Sequence, residues 1–232
     1  GVSDLQGRTV RPSANDDALG TAGVIELTRV LKSGTPMARS VVFAVWTAEE
    51  SGLLGSAAYA MEPIYPLHST VANFTLDILQ TAGLARDVIL VDEGQSDLED
   101  DLTRAAALQS RVVTPENFPE NGLFFRADHF ALARQAVPVL LIMGIAGGAD
   151  LIDGGRAAGD QWISDYTSNC YHQTCDAWSA GWDLRSAVED IELFHTILRD
   201  LGDSKRWTKW KAGSEFRAIR AETNDKRTMP QT

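Results

Sequence analysis

The chain has 232 residues, 44% of them hydrophobic, with Lys+Arg 21 against Asp+Glu 32 and a formal net charge of -11. That length and apolar content support one large domain with one substantial core, while the acidic balance repels phosphate backbones and anionic membrane surfaces, so nucleic acid is not an expected partner. No apolar run approaches the roughly 20 residues of a membrane helix, so no membrane span is expected, and the opening GVSDLQGRTVRP lacks the basic and apolar parts of a signal peptide, which leaves open a leader removed from a longer chain.

Along the chain, Val24, Leu27, Val30 and Leu31 recur at helical spacing and stop at Ser33-Gly34. SVVFAVW (Ser40 to Trp46) reads as a core strand, followed by VANFTLD (Val71 to Asp77) and DVILVD (Asp87 to Asp92). SDLEDDLTRAAALQ and ADHFALARQA read as helices, and PVLLIMG (Pro138 to Gly144) as another core strand. The stretch from Gly144 to Asn169, rich in Gly and Asp with weak periodicity, reads as a long loop over the sheet edge. DLRSAVEDIELFHTILRDL is the last helix, and residues 203–232 form a tail with Trp207, Trp210 and Phe216 that packs on the domain before fraying. Strands alternating with helices give an α/β chain of helix, sheet and helix layers, with residues 1–232 as one domain.

Ligand sites of open α/β sheets gather at the carboxyl ends of strands. Glu49 and Glu50 follow the strand ending at Trp46, Asp77 closes the next, Asp16 and Asp17 precede the first helix, and His172 follows the Gly-rich stretch. Each has a bland explanation: a solvated Glu pair, a helix cap and its neighbour, a strand end, a structural histidine. Together, carboxylates and an imidazole at strand ends make the oxygen and nitrogen donor set of a hydrolytic zinc site. Cys170 and Cys175, in CYHQTC, either close a small disulfide loop in an oxidising compartment or are two unrelated thiols.

ANDDALGTAGVIEL, VVFAVWTAEESGLLGS, NFTLDI, RADHFALARQAVP and CYHQTCD, in this order, resemble the di-zinc aminopeptidases of clan MH, which include bacterial leucyl-type aminopeptidases and the glutamate carboxypeptidase II group. The resemblance runs from about Ser13 to the last helix. It implies a mixed, mostly parallel central sheet between helical layers, and a metallo-aminopeptidase acting on peptides with a free N-terminus. It further implies that Asp16 bridges two zinc ions, that Glu50 and His172 complete one ion's protein ligands, and that Asp77 holds the other. Glu49 is then the general base, and Tyr171 the hydroxyl donor to the developing oxyanion. Asp17, Arg126, Asp128 and His129 are placed as residues lining the site. A cis Asp16-Asp17 peptide, a Cys170–Cys175 disulfide and a secreted or periplasmic location follow from the same resemblance.

One part of the family pattern is absent. Relatives carry an upstream His-x-Asp zinc ligand, whereas residues 1–15 contain no His, and His68, His129 and His195 fall in segments not assigned to that role. The expectation is therefore a longer polypeptide whose earlier part carries this ligand and the first strands of the sheet, the 232-residue chain binding about one zinc with little activity by itself. Two other functions share the fold: a single-zinc glutaminyl cyclase, and a non-catalytic ectodomain like the transferrin receptor. TAEESGLLGS and YHQTCD fit an aminopeptidase better.

Overall fold

A computed structural model describes residues 9–227 and the backbone of Val2–Ser3. Two short strands, β1 (Val2–Ser3) and β2 (Val10–Arg11), pair antiparallel near the start. The central sheet holds β3 (Asn73–Asp77), β4 (Asp87–Leu90), β5 (Val112–Pro115) and β6 (Val139–Met143) in the order β3-β6-β4-β5. β3 and β6 run parallel with Asn73 opposite Val139 and Asp77 opposite Met143, β4 and β5 run parallel, and β4 meets β6 antiparallel at Leu90 and Ile142. The sheet is thus mixed and mostly parallel.

Alternation along the two central strands separates two cores, because successive side chains of a strand point to opposite faces. Leu140, Ile142, Val88 and Leu90 enter one cluster with Leu27, Leu98, Leu102, Phe194 and Ile197. These come from α1 (Leu19–Ser33), α3 (Leu98–Leu108) and α6 (Arg185–Asp203); α2 (Leu54–Met61) lies between α1 and α3 in the sequence. Val139, Leu141, Met143, Ile89 and Val91 face the other way, onto Phe124, Ala127, Ala133, Trp210 and Phe216. That layer contains α4 (His129–Ala133) and the tail, where the Trp210 indole donates to the Ala136 carbonyl at 2.9 Å. No helix among the described residues is long and apolar enough to cross a membrane.

Two expectations are corrected. Ser40–Trp46 is not a strand: Val42 and Val45 are 54% and 60% exposed, and no main-chain hydrogen bond to residues 40–46 occurs among the described residues. Its β-branched pattern encodes burial, but a strand exists only where a neighbour completes the ladder. The stretch after Gly144 is not all loop, because α5 (Gly155–Asn169) occupies most of it. Only Gly159 of α5 is buried, so the helix has no apolar stripe to announce it. It docks instead through glycine: a Cβ at Gly159 would lie 2.1 Å from the Ala149 carbonyl oxygen. β5, α2 and the five-residue helix α7 (Arg217–Ala221) were not read from the sequence at all.

α2 aims the Glu49-Glu50 pair. The Leu53 amide donates to the Glu49 carbonyl at 2.8 Å and the Gly55 amide to the Thr47 carbonyl at 2.9 Å, folding GLLGS back over the chain before the acidic pair. A Cβ on Gly55 would meet the Thr47 oxygen and nitrogen at 2.6 and 2.7 Å, both main-chain atoms that cannot swing aside. Gly55→Ala is therefore expected to cost about 1–3 kcal/mol of stability, as overpacking does. Urea unfolding of the variant beside the parent measures it, and equal midpoints would show that the contact relaxes freely.

Candidate metal centre

Three loops bring the acidic residues and the histidine together beside Asp77, the last residue of β3. The first is the irregular turn Ala14–Ala18, in which Asp16 (φ -115°, ψ 86°) and Asp17 (φ -136°, ψ 48°) leave helical geometry and the peptide between them is cis. The Asp17 carboxylate accepts the Gly20 amide at 2.9 Å, which satisfies a free donor in the first turn of α1. The second is the short turn Glu49–Ser51, entered through Ala48 at φ 57°. The third runs from Cys170 to Asp176, where a Cys170–Cys175 disulfide closes the loop and His172 sits at φ 59°. Arg11 donates from Nε to the His172 carbonyl at 3.0 Å.

His172 Nε2 lies 3.1 Å from Asp16 Oδ2 and 3.2 Å from Glu50 Oε1. Donor atoms of Asp16, Glu50 and His172 all fall within 4.8 Å of one another. Asp16 Oδ2 is buried yet has no hydrogen-bond partner of acceptable geometry, an arrangement that is costly unless a cation lies between the donors. Two carboxylates and an imidazole suit a divalent ion of zinc's preferences.

The surrounding field is strongly negative. Burial, followed by Glu50, raises Asp16 to about 6 despite His172. Burial and Asp16 raise Asp77 to about 7, and burial and Asp77 raise Asp17 to about 9. Glu49 goes to about 8, through burial first and then through Asp77, Glu50, Asp128 and Asp16. Asp128 is raised by its own burial. Tyr171 is pushed up to about 12 by burial and Asp16, with exposed Arg126 opposing, so its phenol stays a donor.

Asp16, Glu50 and His172 thus converge, with Asp77, Glu49, Asp17, Asp128 and Tyr171 within electrostatic reach of them. His129 is placed elsewhere. It is fully buried at the start of α4, edge-on to Phe124 with ring centroids 4.7 Å apart, and burial depresses it to about 3. Its helix turns the imidazole into the aromatic core rather than toward the carboxylates. Sequence reasoning missed Asp176, which is 3% exposed and accepts the Asn15 and Asp16 amides at 2.9 and 3.1 Å. Its signal was present as the acidic residue closing CYHQTCD.

A family model of peptidase family M28 matches residues 4–194. The chain belongs to peptidase family M28. Within the family it is similar to aminopeptidase YwaD of Bacillus subtilis (strain 168), 36% identical over 99 residues that cover 41% of this chain and 22% of YwaD. Among solved structures the M28 chain shares its fold with an aminopeptidase from Aneurinibacillus sp. strain AM-1 (TM-score 0.59, 19% identity, 89% of this chain and 48% of that one). LapB from Legionella pneumophila is similar too (TM-score 0.62, 18% identity, 85% and 49%). The chain spans about half the length of these solved chains, and its match to YwaD covers 22% of that protein.

Proposed function

We propose that this M28 protein is a zinc-dependent aminopeptidase that hydrolyses the N-terminal peptide bond of its substrates. The observation that carries the reading is the convergence of Asp16, Glu50 and His172 beside a Glu49 carboxyl that makes no hydrogen bond among the described residues. Asp16, Glu50 and His172 would hold one zinc, and Asp16 with Asp77 would contribute to a second. Zinc there supplies Lewis acidity and lowers the pKa of a coordinated water. Glu49 takes a proton from the attacking water on a carboxylate oxygen and passes it to the nitrogen of the leaving amine. The Tyr171 hydroxyl donates to the carbonyl oxygen as negative charge develops on it. The acidic surroundings favour the charged α-amine of an N-terminus. The Cys170–Cys175 bridge fits an oxidising compartment, and so a secreted or periplasmic protein.

The test measures zinc by elemental analysis and assays amino-acid p-nitroanilides beside glutaminyl peptides, with and without a chelator. The full-length protein is expected to release N-terminal residues in a chelator-sensitive way, and the 232-residue chain to hold about one zinc. Cyclisation without hydrolysis would move the assignment to a glutaminyl cyclase. Metal-free protein with no turnover would make it a binding domain.

A further inference from the structure

Asp176 is outside the donor set, yet it ties the two loops that supply Asp16 and His172. Its main-chain oxygen accepts the Ala14 amide at 3.0 Å, its Oδ1 the Asn15 amide at 2.9 Å and its Oδ2 the Asp16 amide at 3.1 Å. Its own amide donates to the Gln173 carbonyl at 3.3 Å, inside the loop that carries His172. Three consecutive main-chain N–H groups therefore point at one residue. The bonds of its carboxylate to the Asn15 and Asp16 amides are of the stronger, charge-assisted kind. No cation pairs with Asp176 among the described residues, and main-chain amides supply hydrogen bonds to both its carboxylate oxygens. The Asp16 amide, in turn, has left the helix ladder by its own φ and ψ and has this carboxylate as its acceptor.

We propose that Asp176 is a positioning residue that holds the Asp16 carboxylate against His172, so that metal affinity depends on it. The inference rests on reading Asp16, Glu50 and His172 as metal ligands. A carboxylate is required because both its oxygens accept. In Asp176→Asn, of equal size, the amide NH2 faces an N–H and one buried main-chain donor loses its partner. The Asp16 side chain then has more room to turn away from His172, and ligand orientation is what such outer-shell partners contribute.

The experiment titrates zinc against a chromophoric chelator in the metal-free full chain for the wild type, Asp176→Asn and Asp165→Asn, an exposed control on α5. Asp176→Asn is expected to bind zinc about 10- to 100-fold more weakly, with the control unchanged. In the full-length protein, kcat at saturating zinc and KM are expected to stay within a few-fold of wild type. A purely structural role would lower the melting temperature and leave the zinc affinity of the folded protein unchanged, and that result overturns the proposal. A wild type that binds no zinc would overturn the metal reading itself. If the variant does not fold, hydrogen exchange of the metal-free wild type decides: slow exchange of the Asn15 and Asp16 amides supports a brace present before metal, and exchange at the rate of free amides overturns it.

Discussion

Glu49→Gln is expected to lower kcat by about 10²- to 10⁴-fold, the range that positioned proton transfer contributes, with zinc content unchanged. The amide has the size of the carboxyl but cannot take up a proton. Glu49 is not among the three residues whose donor atoms converge, so its replacement removes no ligand from that set. Its neighbour behaves oppositely. Glu50 Oε1 lies 3.2 Å from His172 Nε2, and Glu50→Gln is expected to lose zinc first and activity as a consequence. KM of the Glu49 variant should change little, since binding the α-amine does not need the shuttled proton. Zinc by elemental analysis and kcat by steady-state assay measure the pair of variants, and loss of zinc from Glu49→Gln would exchange the two roles.

Stability of the metal-free protein is expected to fall as pH rises from about 4 to about 8, the reverse of acid denaturation. Asp16 and Asp190 are held up to about 6, Asp77 to about 7 and Glu49 to about 8, in every case chiefly by burial. Unfolded, these carboxyls titrate near 3.8 or 4.5, so across this window the folded state holds the extra protons. Each such proton lowers unfolding free energy by up to about 1.4 kcal/mol per pH unit, and by less at groups that solvent reaches. Zinc needs its ligands deprotonated and offsets the cost of their buried negative charge. It should therefore raise the melting temperature more at pH 8 than at pH 5. Thermal scans with and without zinc at the two pH values measure this, and a metal-free protein more stable at pH 8 would show that burial does not hold these carboxyls protonated.

The sheet was legible wherever a strand carried its burial in its own residues. DVILVD and PVLLIMG became β4 and β6, whose apolar runs match strands covered on both faces. α6 was legible for the parallel reason, because Leu193, Phe194, Ile197 and Leu201 recur on one face. What failed depended on partners. Ser40–Trp46 has the composition of a strand without a neighbouring strand among the described residues, and α5 is held by close glycine contacts that no periodicity reports. At the site, residue types and strand ends pointed to Asp16, Glu50, Asp77 and His172. The fully buried imidazole of His129 could not be read, and of Asp176 only its acidic place at the end of CYHQTCD could, because orientation and partners depend on which way a side chain turns once helices and loops have packed.

The bond that the Asn15 amide donates to Asp176 spans 161 positions of sequence. A polypeptide is made from its N-terminus, so Asp16 emerges from the ribosome well before His172 and Asp176. Contacts so distant in sequence carry a large loop-closure cost and slow folding. A chain ending before Asp176 consequently lacks the tie between the turn that carries Asp16 and the loop that carries His172.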